Sequence, residues 1–227
     1  MSLLVNVVSV FVDDEGQYGN PLGIVWASSW TRKNEQRIAA DLGFSETIFI
    51  DGFADGIATA RIFTPAQELP FAGHPTVGLA AWLRSSGDDV RAIDVPAGKV
   101  QVRFDEELVF VTASPRWAPA FELDQLDTPG DVDAVDPDAY GDGLHYVWAW
   151  RDESSRQVRA RMFAPDLGIR EDEATGAAAV RLTSKLGRDL EIVQGRGSVL
   201  HTHSLVLDGL VEVGGRVAEE RTIEVRS

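Results

Sequence analysis

One five-residue pattern occurs twice in this chain, and it limits the available architectures more than any other feature. Arg61-Ile62-Phe63-Thr64-Pro65 returns as Arg161-Met162-Phe163-Ala164-Pro165. Each copy closes an apolar run, passes a loop, and reaches a glycine at the start of a helical segment. That start is Ala72-Gly73-His74-Pro75-Thr76 in the first copy and Ala174-Thr175-Gly176-Ala177-Ala178 in the second. A strand–loop–glycine–helix unit present twice implies internal duplication, and so two similar lobes about a pseudo-twofold axis. Ligand sites commonly lie where such lobes meet. The lobes are expected at residues 1–113, carrying Glu46 and His74, and 114–227, carrying Asp172 and Gly176. The last strand is free to return to the first lobe.

Local patterns fill in the elements. Leu3 to Val12 is apolar on both faces and reads as a buried strand. Tyr18-Gly19-Asn20-Pro21-Leu22 reads as a turn, and Leu22 to Trp26 as the returning strand. Thr31 to Leu42 has a helical stripe of Ile38, Ala39 and Leu42, stopped by Gly43. Strands follow at Glu46 to Ile50 and Ala58 to Phe63, then a helix from Pro75, placed at its first position, to about Arg84. Strands at Lys99 to Phe104 and Leu108 to Ala113 end the first half. Ser114 to Gly143 is rich in Pro, Asp and Gly and reads as a linker. Strands at Tyr146 to Trp150 and Val158 to Phe163, a helix from Thr175 to Leu186, and strands through Ile192, Leu200 to Leu207 and Val211 to Val213 complete the second.

Charge and residue usage narrow the chemistry. A hydrophobic content of 44% over 227 residues supports a substantial core, and the net charge of −15 repels phosphate backbones and anionic lipids. Neither nucleic acid nor a membrane surface is expected as a partner. Cysteine is absent, so disulfides, thiolate metal sites and cysteine nucleophiles are excluded. The N-terminus has no basic stretch followed by an apolar run, and no stretch nears the roughly 18 apolar residues of a membrane helix, which reads as cytoplasmic. No Walker-type loop or dinucleotide fingerprint is present. His201 and His203 share a strand face, but a structural role is favoured there over metal ligation, and no metal is expected.

Five positions then stand out. Glu46 shares a strand face with Phe44, Ile48 and Ile50. Burial there raises its pKa toward the range useful for acid–base work, while the bland alternative is a strand-end carboxylate in water. His74, between Gly73 and Pro75, either caps the helix or offers its imidazole to the cleft. Gly73 and Gly176 each open a helix whose first N–H groups suit an anion; the alternative is that they only permit close packing. Asp172 sits in an Arg170-Glu171-Asp172-Glu173 charge run that ordinarily reads as solvated.

These motifs together resemble the phenazine-biosynthesis PhzF-like family of the diaminopimelate-epimerase-like superfamily. The resemblance rests on Gly19-Asn20-Pro21, Ser45-Glu46-Thr47, Arg61 to Pro65, Glu68-Leu69-Pro70-Phe71-Ala72-Gly73-His74-Pro75-Thr76, Glu171-Asp172 before Ala174-Thr175-Gly176, and the closing Gln194-Gly195 and Val213-Gly214-Gly215. It implies an α+β fold of two pseudo-symmetric lobes, each a mixed sheet or barrel around a central helix. It implies a homodimer and a cofactor-independent isomerase acting on a small carboxylate related to dihydro-hydroxyanthranilate. Glu46 then matches the proton-shuttling glutamate, His74 and Asp172 the other catalytic groups, and Asn20, Gly73, Gly176 and Ala177 the substrate-binding positions. Two departures stand out: Ala177 replaces a Ser common in the family, and Glu173 replaces a Pro. Loss of the Ser hydroxyl favours an alternative, a catalytically silent small-molecule binder of the same fold.

Overall fold

The computed structural model describes residues 2–165 and 168–226. The strands of the first half are β1 (Ser2–Val12), β2 (Tyr18–Trp26), β3 (Glu46–Ala54), β4 (Ile57–Phe63), β5 (Glu68–Leu69), β6 (Ala92–Val95), β7 (Gly98–Asp105) and β8 (Leu108–Ala113). Those of the second are β9 (Glu122–Gln125), β10 (His145–Asp152), β11 (Gln157–Ala164), β12 (Ile169–Asp172), β13 (Leu190–Gln194), β14 (Ser198–Leu205) and β15 (Leu210–Arg226). The helices are α1 (Glu35–Leu42), α2 (Gly73–Ser85), α3 (Pro129–Ala134) and α4 (Gly176–Leu186).

Strand pairing shows the duplication directly. From β2 to β8 the ladder runs β2 parallel to β3, β3 antiparallel to β4, β4 parallel to β6, then β6, β7 and β8 antiparallel. From β9 to β15 the same order recurs through β10, β11, β13 and β14. Short β5 and β12 hang off β4 and β11, each just before its α-helix. The side chains repeat as well. Arg61 makes two 2.8 Å bonds to Glu68 and Arg161 two 2.8 Å bonds to Glu171. Each guanidinium lies 5.0 Å from the ring of the phenylalanine two residues on.

The repeating unit therefore begins at β2 and β9, which corrects the linker expected over residues 114–143. That segment holds β9 and α3, the counterparts of β2 and α1. Its pattern was weak because β9 has four residues and α3 six. β1 lies outside the repeat and pairs on one side with β2 and on the other with β15. β15 is common to both halves, bonding β8 through Val211–Gly215, β14 through Leu210–Gly214 and β1 from Arg216 on.

Three further expectations are revised. Gly19-Asn20-Pro21 does not turn the chain but lies within β2, where Asn20 and Pro21 pair with Val10 and Ser9. The reversal is made by residues 13–17, where the Asp13 carboxylate accepts the N–H groups of Glu15 and Gln17. The first helix is split at Asn34 into a 3-10 turn, Thr31–Lys33, and α1, with Gly43 as a left-handed cap. α2 starts at Gly73, so Pro75 is its third residue, tolerated because first-turn N–H groups have no partner within the helix. Nine of its residues are buried around the whole circumference, as befits a helix enclosed by sheet.

Candidate active site

The two helix starts meet. A Cβ built on Gly73 would lie 3.3 Å from the Cα of Gly176, and one on Gly176 3.2 Å from the Cα of Gly73. Close packing is thus one reason for these glycines, and for Gly73 the packing partners are both the other helix start and Val213 of β15, 3.3 Å from the same Cβ. α3 is closed by a Thr128–Asp131 capping box, whereas α2 and α4 have no side-chain cap. Their first turns present amide hydrogens at one shared point, where partial positive charge accumulates.

Glu46 stands at the first residue of β3, with Ile48 and Ile50 of the same face in the main core. Its side chain keeps 19% exposure. Its Oε2 is 3.0 Å from His74 Nδ1. His74 Nε2 is 3.0 Å from the carbonyl oxygen of Asn20; a carbonyl only accepts, so Nε2 donates. Nδ1 and Oε2 therefore share one proton, held either on the imidazole or on the carboxyl. Burial opposes ionisation of Glu46, but chiefly the hydrogen bond and charge of His74 outweigh it and hold its pKa below the usual carboxylate value. This reverses the expectation that burial would raise it.

The raised carboxyl is Asp172. Burial first, and then the nearby charge of Glu46, push its pKa up to about 6. Its Oδ1 accepts from Asn20 Nδ2 at 2.8 Å and its Oδ2 from the Thr175 hydroxyl at 2.6 Å. Fully buried Gln194 sets that donor direction. It accepts from the Tyr146 hydroxyl at 3.1 Å and donates to Thr175 Oγ1 at 2.9 Å, leaving the Thr175 hydrogen for Asp172. The charge run around it resolves into separate pairs: Arg170 with Asp138, Glu171 with Arg161, Glu173 with Arg196. Asp172 is not the solvated residue its run suggested.

Asn20 joins the halves. Its amide donates to Asp172 and to the Ala174 carbonyl and accepts from Ser45, while its backbone carbonyl accepts from His74. The structure thus brings Glu46, His74, Asp172, Asn20, Gly73 and Gly176 into one cluster, with Ala177 next to Gly176 at the start of α4. Sequence reasoning had not assigned roles to Ser45, Thr175, Gln194 or Tyr146. Gln194 was visible only as half of a Gln-Gly signature.

The proton linkage of Asp172 has a definite sign. The folded chain holds this proton up to about pH 6, against a reference value of 3.8, so its contribution to stability is full below the lower value and lost as pH rises through the higher one. We expect Asp172→Asn to gain on the wild type by roughly 2 kcal/mol between about pH 4 and pH 7.5. Urea unfolding at both pH values measures it; a difference independent of pH would contradict the assignment.

Two lobes joined at paired helix starts define the epimerase- and racemase-type fold. A hydroxyproline epimerase from Agrobacterium vitis superposes with a TM-score of 0.64 at 14% identity, over 99% of this chain and 92% of that one. A PhzF-family phenazine biosynthesis protein from Enterococcus faecalis does so at 0.79 and 21%, with full coverage of both chains. Within that class the chain belongs to the PhzC-PhzF family, described as phenazine biosynthesis-like protein, whose profile matches residues 8–116 and 122–226. Trans-2,3-dihydro-3-hydroxyanthranilate isomerase from Pseudomonas chlororaphis is 30% identical over 223 residues, 78% of this chain and 80% of that protein. The Pseudomonas aeruginosa protein of the same name is 29% identical over 230 residues, 84% and 82%. Among the described residues no helix is long and apolar enough to cross a membrane.

Proposed function

We propose that this chain is a cofactor-independent isomerase in which Glu46 moves a proton between two carbons of a small carboxylate resembling dihydro-hydroxyanthranilate. The observation that carries the reading is the close approach of Glu46 Oε2 to His74 Nδ1, 3.0 Å apart, in a cluster where burial and the Glu46 charge push the pKa of the second carboxyl, Asp172, up to about 6. The ionised Glu46 is the form that can accept a proton from carbon, and His74 supplies a second resting place for that proton before it is returned. The substrate carboxylate sits at the uncapped starts of α2 and α4, away from the Glu46 charge. Asp172, held by Asn20 and Thr175, donates to a polar substituent while protonated. Asn20 acts by positioning Asp172, its amide being taken up by protein partners.

The test is incubation of the wild type with trans-2,3-dihydro-3-hydroxyanthranilate in D₂O. Deuterium should enter a carbon position of the recovered product, followed by NMR. Unchanged, undeuterated substrate would sink this substrate and leave the silent-binder reading, which Ala177 favours, in its place. Ala177→Ser separates the two further. Restoring one hydroxyl donor to a bound carboxylate should raise kcat/KM by roughly tenfold, since a hydrogen bond to a charged group contributes about 1.5–3 kcal/mol. A silent binder would gain affinity in calorimetry and show no exchange.

A further inference from the structure

The sheet ends at β9, an edge strand carrying Glu122 and Asp124 two residues apart and therefore on one face. β9 runs parallel to β10 with Glu122 directly beside His145. The His145 residue is only 7% exposed. Its Nε2 is 2.8 Å from the Asp142 carbonyl oxygen, so Nε2 carries a proton and donates it. In a neutral ring that leaves Nδ1 as a lone pair. Nδ1 is buried, makes no hydrogen bond, and lies 3.3 Å from Glu122 Oε2. Two lone pairs facing at that distance repel unless something positive lies between them. Tyr140, with its ring centroid 4.8 Å away, packs against the imidazole.

We propose that Glu122, Asp124 and His145 form a site for a divalent transition-metal ion, with Zn²⁺ the preferred occupant. One ring nitrogen of His145 and one oxygen from each carboxylate lie within 4.8 Å of one another, and Nδ1 is the nitrogen that faces Glu122. An imidazole whose other nitrogen donates to a backbone carbonyl is oriented as metal-bound histidines are. One nitrogen and two carboxylates suit zinc, whereas calcium and magnesium favour all-oxygen shells. An imidazolium paired with Glu122 also explains the short approach, but it leaves Nδ1 without hydrogen-bond geometry and gives Asp124 no part. The site is separate from the cluster described above. His145 and Tyr146 face opposite sides of β10, and it is Tyr146 that reaches Gln194.

The experiment is a titration of the chelator-stripped full chain with ZnCl₂ near neutral pH, by calorimetry and by thermal shift. One ion should bind per chain and raise the thermal midpoint. Glu122→Gln and Asp124→Asn, both on the surface side of the site, should each weaken binding by roughly tenfold or more, with a metal-free midpoint no lower than that of the wild type because the repulsion of facing lone pairs is relieved. A His201→Ala/His203→Ala variant should bind as the wild type does. Absence of binding to the wild type would overturn the proposal. So would unchanged affinity in a Glu122→Gln/Asp124→Asn double variant, which would place any bound zinc elsewhere.

Discussion

Replacing Glu46 by Gln is expected to lower carbon–deuterium exchange by about 10²- to 10⁴-fold, the usual contribution of a positioned acid–base group. The variant keeps the shape and the polar contacts. The Gln amide can donate to His74 Nδ1, while His74 Nε2 still donates to the Asn20 carbonyl. What disappears is the oxygen that, on the proposed mechanism, exchanges a proton with carbon. His74 alone is not expected to replace it, because the ring is 3% exposed against 19% for the carboxylate. The thermal midpoint should stay close to that of the wild type, so that a loss of exchange reads as lost chemistry. Exchange at the wild-type rate would remove Glu46 from the mechanism and direct attention to Asp172.

The largest stability effect is expected at Gly214. A Cβ there would lie 2.3 Å from the Val109 carbonyl oxygen and 2.5 Å from a ring carbon of Phe110. Both neighbours are fixed: β15 is bonded to β8 on one side and β14 on the other at this residue. A backbone oxygen cannot retreat without breaking the ladder that joins the halves. Gly214→Ala should therefore cost about 3 kcal/mol or more, the upper range for overpacking. It should appear as a lower urea midpoint at unchanged slope. Gly52→Ala, where a Cβ meets nothing within 4 Å, is the matched control and should be nearly neutral. Equal midpoints for the two would mean that β15 yields more readily than its pairing indicates.

The sequence revealed the duplication because Arg61 and Arg161 each need the same acidic partner and the same aromatic ring two residues on. It also located Glu46 on the core face, since alternation along a strand is a local property. It misread the start of the second repeat. β9 and α3 are too short for periodicity to register, and parallel pairing with β10 gives β9 its place. The acidities were beyond it for a similar reason. Glu46 and Asp172 lie in environments set by His74 and Asn20, which are distant in sequence and brought together only by the fold. The charge run around Asp172 looked uniform because composition cannot show that each of its residues has a different partner.

The pairing of β1 with β15 bears on how this chain is made. Leu3 lies opposite Val225, and Val10 opposite Val217, so β1 lacks one of its two neighbours until distant β15 docks. Until then an apolar edge of β1 stands open to other nascent chains, and contacts of such long sequence separation close slowly. A chain stalled before residue 210 would hold Glu46, His74 and Asp172 yet lack the strand that binds the halves carrying them.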